Sequence, residues 1–177
     1  MAEVLLNFKT LLILGMGLAV MVNRRSPALF VLSLAVLAHH LLAFVVYNTI
    51  YNLGSAKTTW NVSWVLFELP LCLFLYTKII LNFKPRYKIL GGATKRDVQV
   101  LLLSFLYILS HLVEFVDWNN GDIFMAKVMP YVTPTINLLI VISILQDWLT
   151  KKFERIFNWF KDKQYSLKAL KEKSSDI

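Results

Sequence analysis

Charge, cysteine and histidine are scarce in this sequence, and each shortage removes a class of function. Only 17% of the 177 residues are charged, against about a quarter in a soluble domain. One cysteine, Cys72, excludes an intramolecular disulfide and a cysteine-based zinc site. Its place in an apolar block predicts a small buried hydrophobe. Three histidines are not a metal signature, and no cofactor is expected. There is no H-E-x-x-H, no P-loop and no recognisable Ser-His-Asp signature. Gly91-Gly92 lacks the spacing of a phosphate loop and reads as a flexible connector. No catalytic residue is therefore expected, and the chain is not expected to be an enzyme.

Hydrophobic residues are abundant, at 57%. They gather in five blocks separated by short polar segments, which fits a helical membrane domain better than a soluble core. The fold class that follows is an all-α membrane protein. Five transmembrane helices would form a bundle, at about residues 4–22, 28–47, 60–82, 98–118 and 123–148. A C-terminal cytoplasmic amphipathic helix would follow. Residues 1–148 would make the membrane domain and residues 149–177 the basic helix, with a frayed tail from Lys168.

Local signals refine this outline. The first block has no basic segment before it, and Asn23-Arg24-Arg25 follows in place of a cleavage site, so it reads as an uncleaved helix. Lying on the membrane surface is its alternative. Lys9 is placed to snorkel to the interface. Pro27 suits the first turn of the second helix, and Asn48–Thr59, with Gly54, reads as a polar loop. Trp60 and Trp64 suit an interface. Thr94 is an expected N-cap, with Asp97 favourable in the first turn of the fourth block. Pro130 and Pro134 free backbone carbonyls in the fifth and mark a site for a kink.

The net charge of +8 invites a nucleic-acid reading, but most of the basic residues lie in short segments beside apolar spans. No nucleic-acid partner is expected. Fifteen of the 19 Lys and Arg fall after the first and third blocks and in the tail. The positive-inside bias then puts the N-terminus outside and the C-terminus in the cytoplasm, in a cytoplasmic (inner) membrane. Asn61-Val62-Ser63 matches a glycosylation sequon but abuts the membrane.

The fourth block carries a polar stripe. Ser104, Tyr107, His111, Glu114 and Trp118 recur at spacings of three and four, so they share one helix face. With Tyr47, Trp60 and Asp117 as outer ends, His40 lies about 10 Å deep, Glu68 about 12 Å and His111 about 9 Å. Glu114 is shallower; Thr133 and Asn137 are deeper but within reach. His40, Glu68, Tyr107, His111, Glu114, Thr133 and Asn137 thus form an expected outer-half cluster on four helices. His39 and His40 point about 100° apart, so only one is expected to face it.

Ionisable groups inside spans usually face a bundle interior or a wet cavity. The leading expectation is a subunit or accessory protein of a membrane complex, in which these groups fix helix packing or an interface with other subunits or a second copy. Each such bond contributes only about 0.6 kcal/mol. The alternatives are a pathway for protons, ions or a small solute, a haem or metal site using the histidines, and a pocket for a lipid or sterol. Phe67-Glu68-Leu69-Pro70 and Pro130-Tyr131 with Pro134 resemble the EXPERA family of four-helix membrane proteins. That likeness covers a handful of residues, leaves the first span outside it and carries over no site.

After Trp148 the pattern changes. Leu149, Phe153, Ile156, Phe157 and Phe160 repeat at helical spacing among Lys151, Lys152, Arg155, Lys161 and Lys163. Phe153, Ile156, Phe157 and Phe160 are expected to meet the lipid bilayer or a partner.

Overall fold

The computed structural model describes residues 2–53, 57–81 and 92–175. The expected Gly54 loop, the Gly91 part of the glycine break and the basic residues Lys84, Arg86 and Lys88 lie outside the described residues, as does the side chain of Lys9. The helices are α1 (Ala2–Asn23), α2 (Pro27–Leu53), α3 (Lys57–Leu81), α4 (Lys95–Asn119) and α5 (Phe124–Ser175). No strand occurs among the described residues. Packing divides the chain into two compact units, Met1–Ile144 and Leu145–Ile177.

Four helices are long and apolar enough to cross a bilayer, over Pro27–Tyr47, Thr59–Leu81, Lys95–Asn119 and Phe124–Lys161. Among the described residues α1 contributes a shorter apolar stretch, Thr10–Asn23. The expected count of five spans is thus met by four helices and one shorter apolar segment. Leu66 and Leu73 on α3 and Leu102, Leu106 and Leu109 on α4 are exposed. Outward-facing leucine on this scale suits contact with lipid.

Helix ends depart from expectation in two places. α2 continues to Leu53 and α3 begins at Lys57, so most of the expected Asn48–Thr59 loop is helical. Polar side chains do not interrupt a helix as Gly or Pro does, and neither occurs from Asn48 to Leu53. α5 likewise runs to Ser175, past the tail expected to fray from Lys168; no Gly or Pro follows Pro134.

The turns are built from local hydrogen bonds. Ser26 N–H donates to the Asn23 carbonyl at 2.8 Å, and Pro27 opens α2 as expected. Thr94 caps α4 in a capping box with Asp97. Between α4 and α5, Gly121 adopts φ +79°, a left-handed conformation that closes α4 without a Cβ clash. Asp122 Oδ1 then accepts from the N–H groups of Ile123 and Phe124 at 2.6 and 3.0 Å. Asp117 Oδ2 accepts from Met125 N–H at 2.8 Å. The two carboxylates satisfy donors that α5 cannot pair internally at its N-terminus.

Within Met1–Ile144, close backbone packing joins α1 to α2, α3 to α4 and, less extensively, α2 to α3. Residues 124–144 of α5 approach the other helices only sparsely. One close approach is at Gly15, where a Cβ would lie 3.0 Å from Val141 Cγ1. Successive helices alternate in direction, so the unit has two unlike ends. Tyr47, Trp60 and Glu114 mark the aromatic end; Asn23, Lys78 and Asp97 mark the other.

An apolar layer lies between them. Met16, Leu32, Val36, Leu75, Val100, Ile140 and Ile144 come from all five helices, and each is no more than 2% exposed. Beyond this layer two polar latches close the far end. Lys78 Nζ, fully buried, donates to Asp97 Oδ1 at 2.6 Å and to the Ala28 carbonyl at 2.9 Å. The second Asp97 oxygen accepts from Thr94 N–H and Oγ1 at 2.6 and 2.7 Å. Asn23 Nδ2 donates to Ser33 Oγ at 3.0 Å and to the Ile144 carbonyl at 3.3 Å. These latches join all five helices.

Candidate functional site

Toward the aromatic end the helices line a half-open cavity of about 430 Å³. Its position follows from the packing: α5 stands off from the other helices, and the gap is lined by all five. His40, Glu68, Tyr107, His111, Glu114, Thr133 and Asn137, the seven residues expected to cluster, all line it. Leu12, Phe44, Tyr47, Trp60, Trp64 and Met129 supply much of its apolar and aromatic wall.

His39 corrects one expectation. Both neighbouring histidines line the cavity. His39 Nε2–H donates to Glu68 Oε2 at 2.8 Å and so ties α2 to α3. An angle of about 100° between neighbours separates them only when the facing space is narrow; this gap is wide enough to admit both. His40 Nδ1 lies 2.9 Å from the Val36 carbonyl. A carbonyl can only accept, so Nδ1 carries the proton, and Nε2 of a neutral ring is an acceptor.

The α4 stripe holds over most of its length. Ser104, Tyr107, His111 and Glu114 are buried, whereas Trp118 is 41% exposed. Trp118 lies in the last turn of α4, next to the exposed residues Asn119–Gly121. His111 Nδ1 donates to Asn61 Oδ1 at 3.0 Å, with Glu114 Oε2 at 3.8 Å from the same nitrogen. The Tyr107 and His111 rings meet edge to face, with centroids 4.7 Å apart.

Asn61 is a functional-site neighbour that sequence reasoning missed, because Asn61-Val62-Ser63 reads first as a sequon. Asn61 is 1% exposed and lies inside α3, so an oligosaccharide has no route to it in this fold. Among the described residues, Asn61 Nδ2 and His111 Nε2 are buried without a hydrogen-bond partner. The cavity-side cluster is thus less satisfied than the latches at the opposite end.

Charge and hydrogen-bonding character can be read from the lining. It holds two carboxylates, Glu68 and Glu114, and neither Lys nor Arg. The second His40 nitrogen is engaged by the Asn137 side chain. Prolines add acceptors: Pro130 and Pro134 have no N–H, so the carbonyls of Ala126 and Pro130 lose their usual helix partners. Ala126 and Pro130 both line the cavity. The described lining thus sets two carboxylates, without a lysine or arginine, among aromatic rings.

Among the described residues no three His, Cys, Asp or Glu side chains are grouped to hold a metal ion. Cys72 is buried and free, as expected of a small core residue. Phe153, Ile156, Phe157 and Phe160 belong to the second unit and are all exposed.

Comparison with family models, curated proteins and solved structures finds no match to this chain. The EXPERA likeness gains no support from them, and the cavity is read from its own residues.

Proposed function

We propose that this is an integral membrane protein that holds a small amphipathic molecule in its cavity, by binding and without bond-making chemistry. The observation that carries this reading is the lining itself: two carboxylates, with no lysine or arginine among the described residues, within one aromatic-walled space of about 430 Å³. Ligand sites of a few hundred Å³ are commonly apolar, with a few convergent polar groups. Carboxylates without a neighbouring lysine or arginine favour a molecule with a donor at its polar end, such as an alcohol or an amine. Trp60, Trp64, Tyr47 and Phe44 favour a compact apolar body, and their π-faces favour a cationic end over an anionic one.

The positive-inside bias supports an orientation with the cavity in the outer half, the N-terminus outside and the C-terminus in the cytoplasm. The apolar layer beyond the cavity favours a closed pocket over a pathway for ions or protons. A subunit or accessory role is the second reading. What favours it is the interhelical His39–Glu68 and His111–Asn61 hydrogen bonds, which suit polar groups that fix helix packing.

Binding to the purified protein in nanodiscs tests the first reading. Primary amines and alcohols with a compact apolar body are expected to bind and to raise the melting temperature; carboxylic acids with the same apolar body are not. Ala43→Phe, which fills the cavity from α2, is expected to remove binding while leaving the fold intact. Equal binding of acids and amines, or full binding by the Ala43→Phe variant, would overturn the proposal. A larger stoichiometric complex recovered in mild detergent would favour the subunit role.

A further inference from the structure

The second unit carries a surface that the cavity does not use. Two stripes run side by side along its helix. Leu149, Phe153, Ile156 and Phe160 form an apolar stripe at spacings of four, three and four. Trp148, Lys152, Arg155, Trp159 and Lys163 form a second stripe beside it, at spacings of four, three, four and four.

The second stripe is internally organised. Lys152 Nζ lies 5.7 Å from the centroid of the Trp148 ring, and Lys163 Nζ lies 5.1 Å from that of Trp159. Phe153, Phe157 and Phe160 are each at least 60% exposed, and Ile156 and Trp159 are more than half exposed. No part of this unit covers them.

We propose that residues 148–163 form a docking surface for an anionic bilayer. The apolar stripe would enter the acyl boundary. The tryptophans would sit at headgroup level, where amphipathic rings accumulate, and the cations beside them would meet lipid phosphates. Charge complementarity selects this occupant: residues 148–163 carry Lys151, Lys152, Arg155, Lys161 and Lys163 against Asp162 and Glu154. An edge that alternates tryptophan with cations suits the layered chemistry of a lipid interface. A protein groove would more commonly be met by a continuous apolar face.

The intact protein supplies the test. It is reconstituted into nanodiscs of phosphatidylcholine with or without phosphatidylglycerol and digested briefly with trypsin. Cleavage after Lys152, Arg155 and Lys161 is expected to be several-fold slower in the anionic nanodiscs at low salt, with the difference lost at high salt. An unrelated soluble trypsin substrate added to both samples is the internal reference. Equal cleavage in both lipids, or protection that ignores salt, would overturn the proposal.

A second measurement is independent of proteolysis. A Cys72→Ser chain carries a fluorophore at Phe153→Cys or at Asn158→Cys. Only the label at position 153 is expected to be shielded from aqueous iodide, and only with phosphatidylglycerol present. The Lys152→Gln/Arg155→Gln/Lys163→Gln variant is expected to lose that shielding. Shielding at position 153 that is equal in both lipids, or that survives the triple substitution, would also overturn it.

Discussion

The two ends of the Met1–Ile144 unit use the same kinds of residue for opposite purposes. At the latch end, Lys78, Asp97, Thr94, Asn23 and Ser33 meet at short distances around satisfied donors and acceptors. At the aromatic end, His39, Glu68, His111 and Asn61 are paired, but Asn61 Nδ2 and His111 Nε2 remain without partners and a cavity lies alongside. A polar group buried in a satisfied network rigidifies the helices it joins; one left short of partners costs stability and calls for another explanation. The latch end therefore reads as structure, and the aromatic end is where the proposed ligand site lies.

Substitutions can break or sharpen this contrast. Lys78→Met leaves the Asp97 carboxylate buried without its cation, and a loss of about 3–5 kcal/mol is expected. Thermal unfolding in detergent would register it. Adding Asp97→Leu is expected to recover a large part of that loss; a double variant no more stable than the single one would count against this account of the pair.

Gly15→Leu comes next. A Cβ at that position already approaches Val141 Cγ1 to 3.0 Å, so overpacking of about 1–3 kcal/mol is expected from the same unfolding measurement. Asn23→Ala removes the hydrogen bonds to Ser33 and the Ile144 carbonyl, for about 0.6–1.7 kcal/mol on the scale of interhelical bonds in membranes. The smallest effect on stability is expected at the aromatic end. Ala43→Phe should shift unfolding by less than about 1 kcal/mol while abolishing ligand binding. A large stability loss there would erase the distinction between the two ends.

Much of this contrast was legible in the sequence. Tyr107, His111 and Glu114 stand out because polar residues recur at helical spacing within an apolar block, and counting depth along each helix brings His40, Glu68, Thr133 and Asn137 level with them. The remainder depends on tertiary structure. Lys78 is visible as a charge within a span, but its pairing with Asp97 depends on the path of the intervening chain. Asp97 reads as a helix-start residue, which it is, without revealing its second partner. The angle between neighbours points to only one of His39 and His40, because nothing in the sequence states the width of the gap. Asn61 carried a competing surface motif that concealed its burial.

The latch at Asn23 also bears on the order of assembly. The α1–α2 and α3–α4 hairpins pair helices that are adjacent in sequence, and such contacts form early because little chain must be closed between them. Asn23 and Ile144 are 121 positions apart. Their bond can form only after the last helix has been made, and the pocket has its fifth wall only then. A nascent chain that stopped before α5 would hold two finished hairpins and nothing able to retain a ligand.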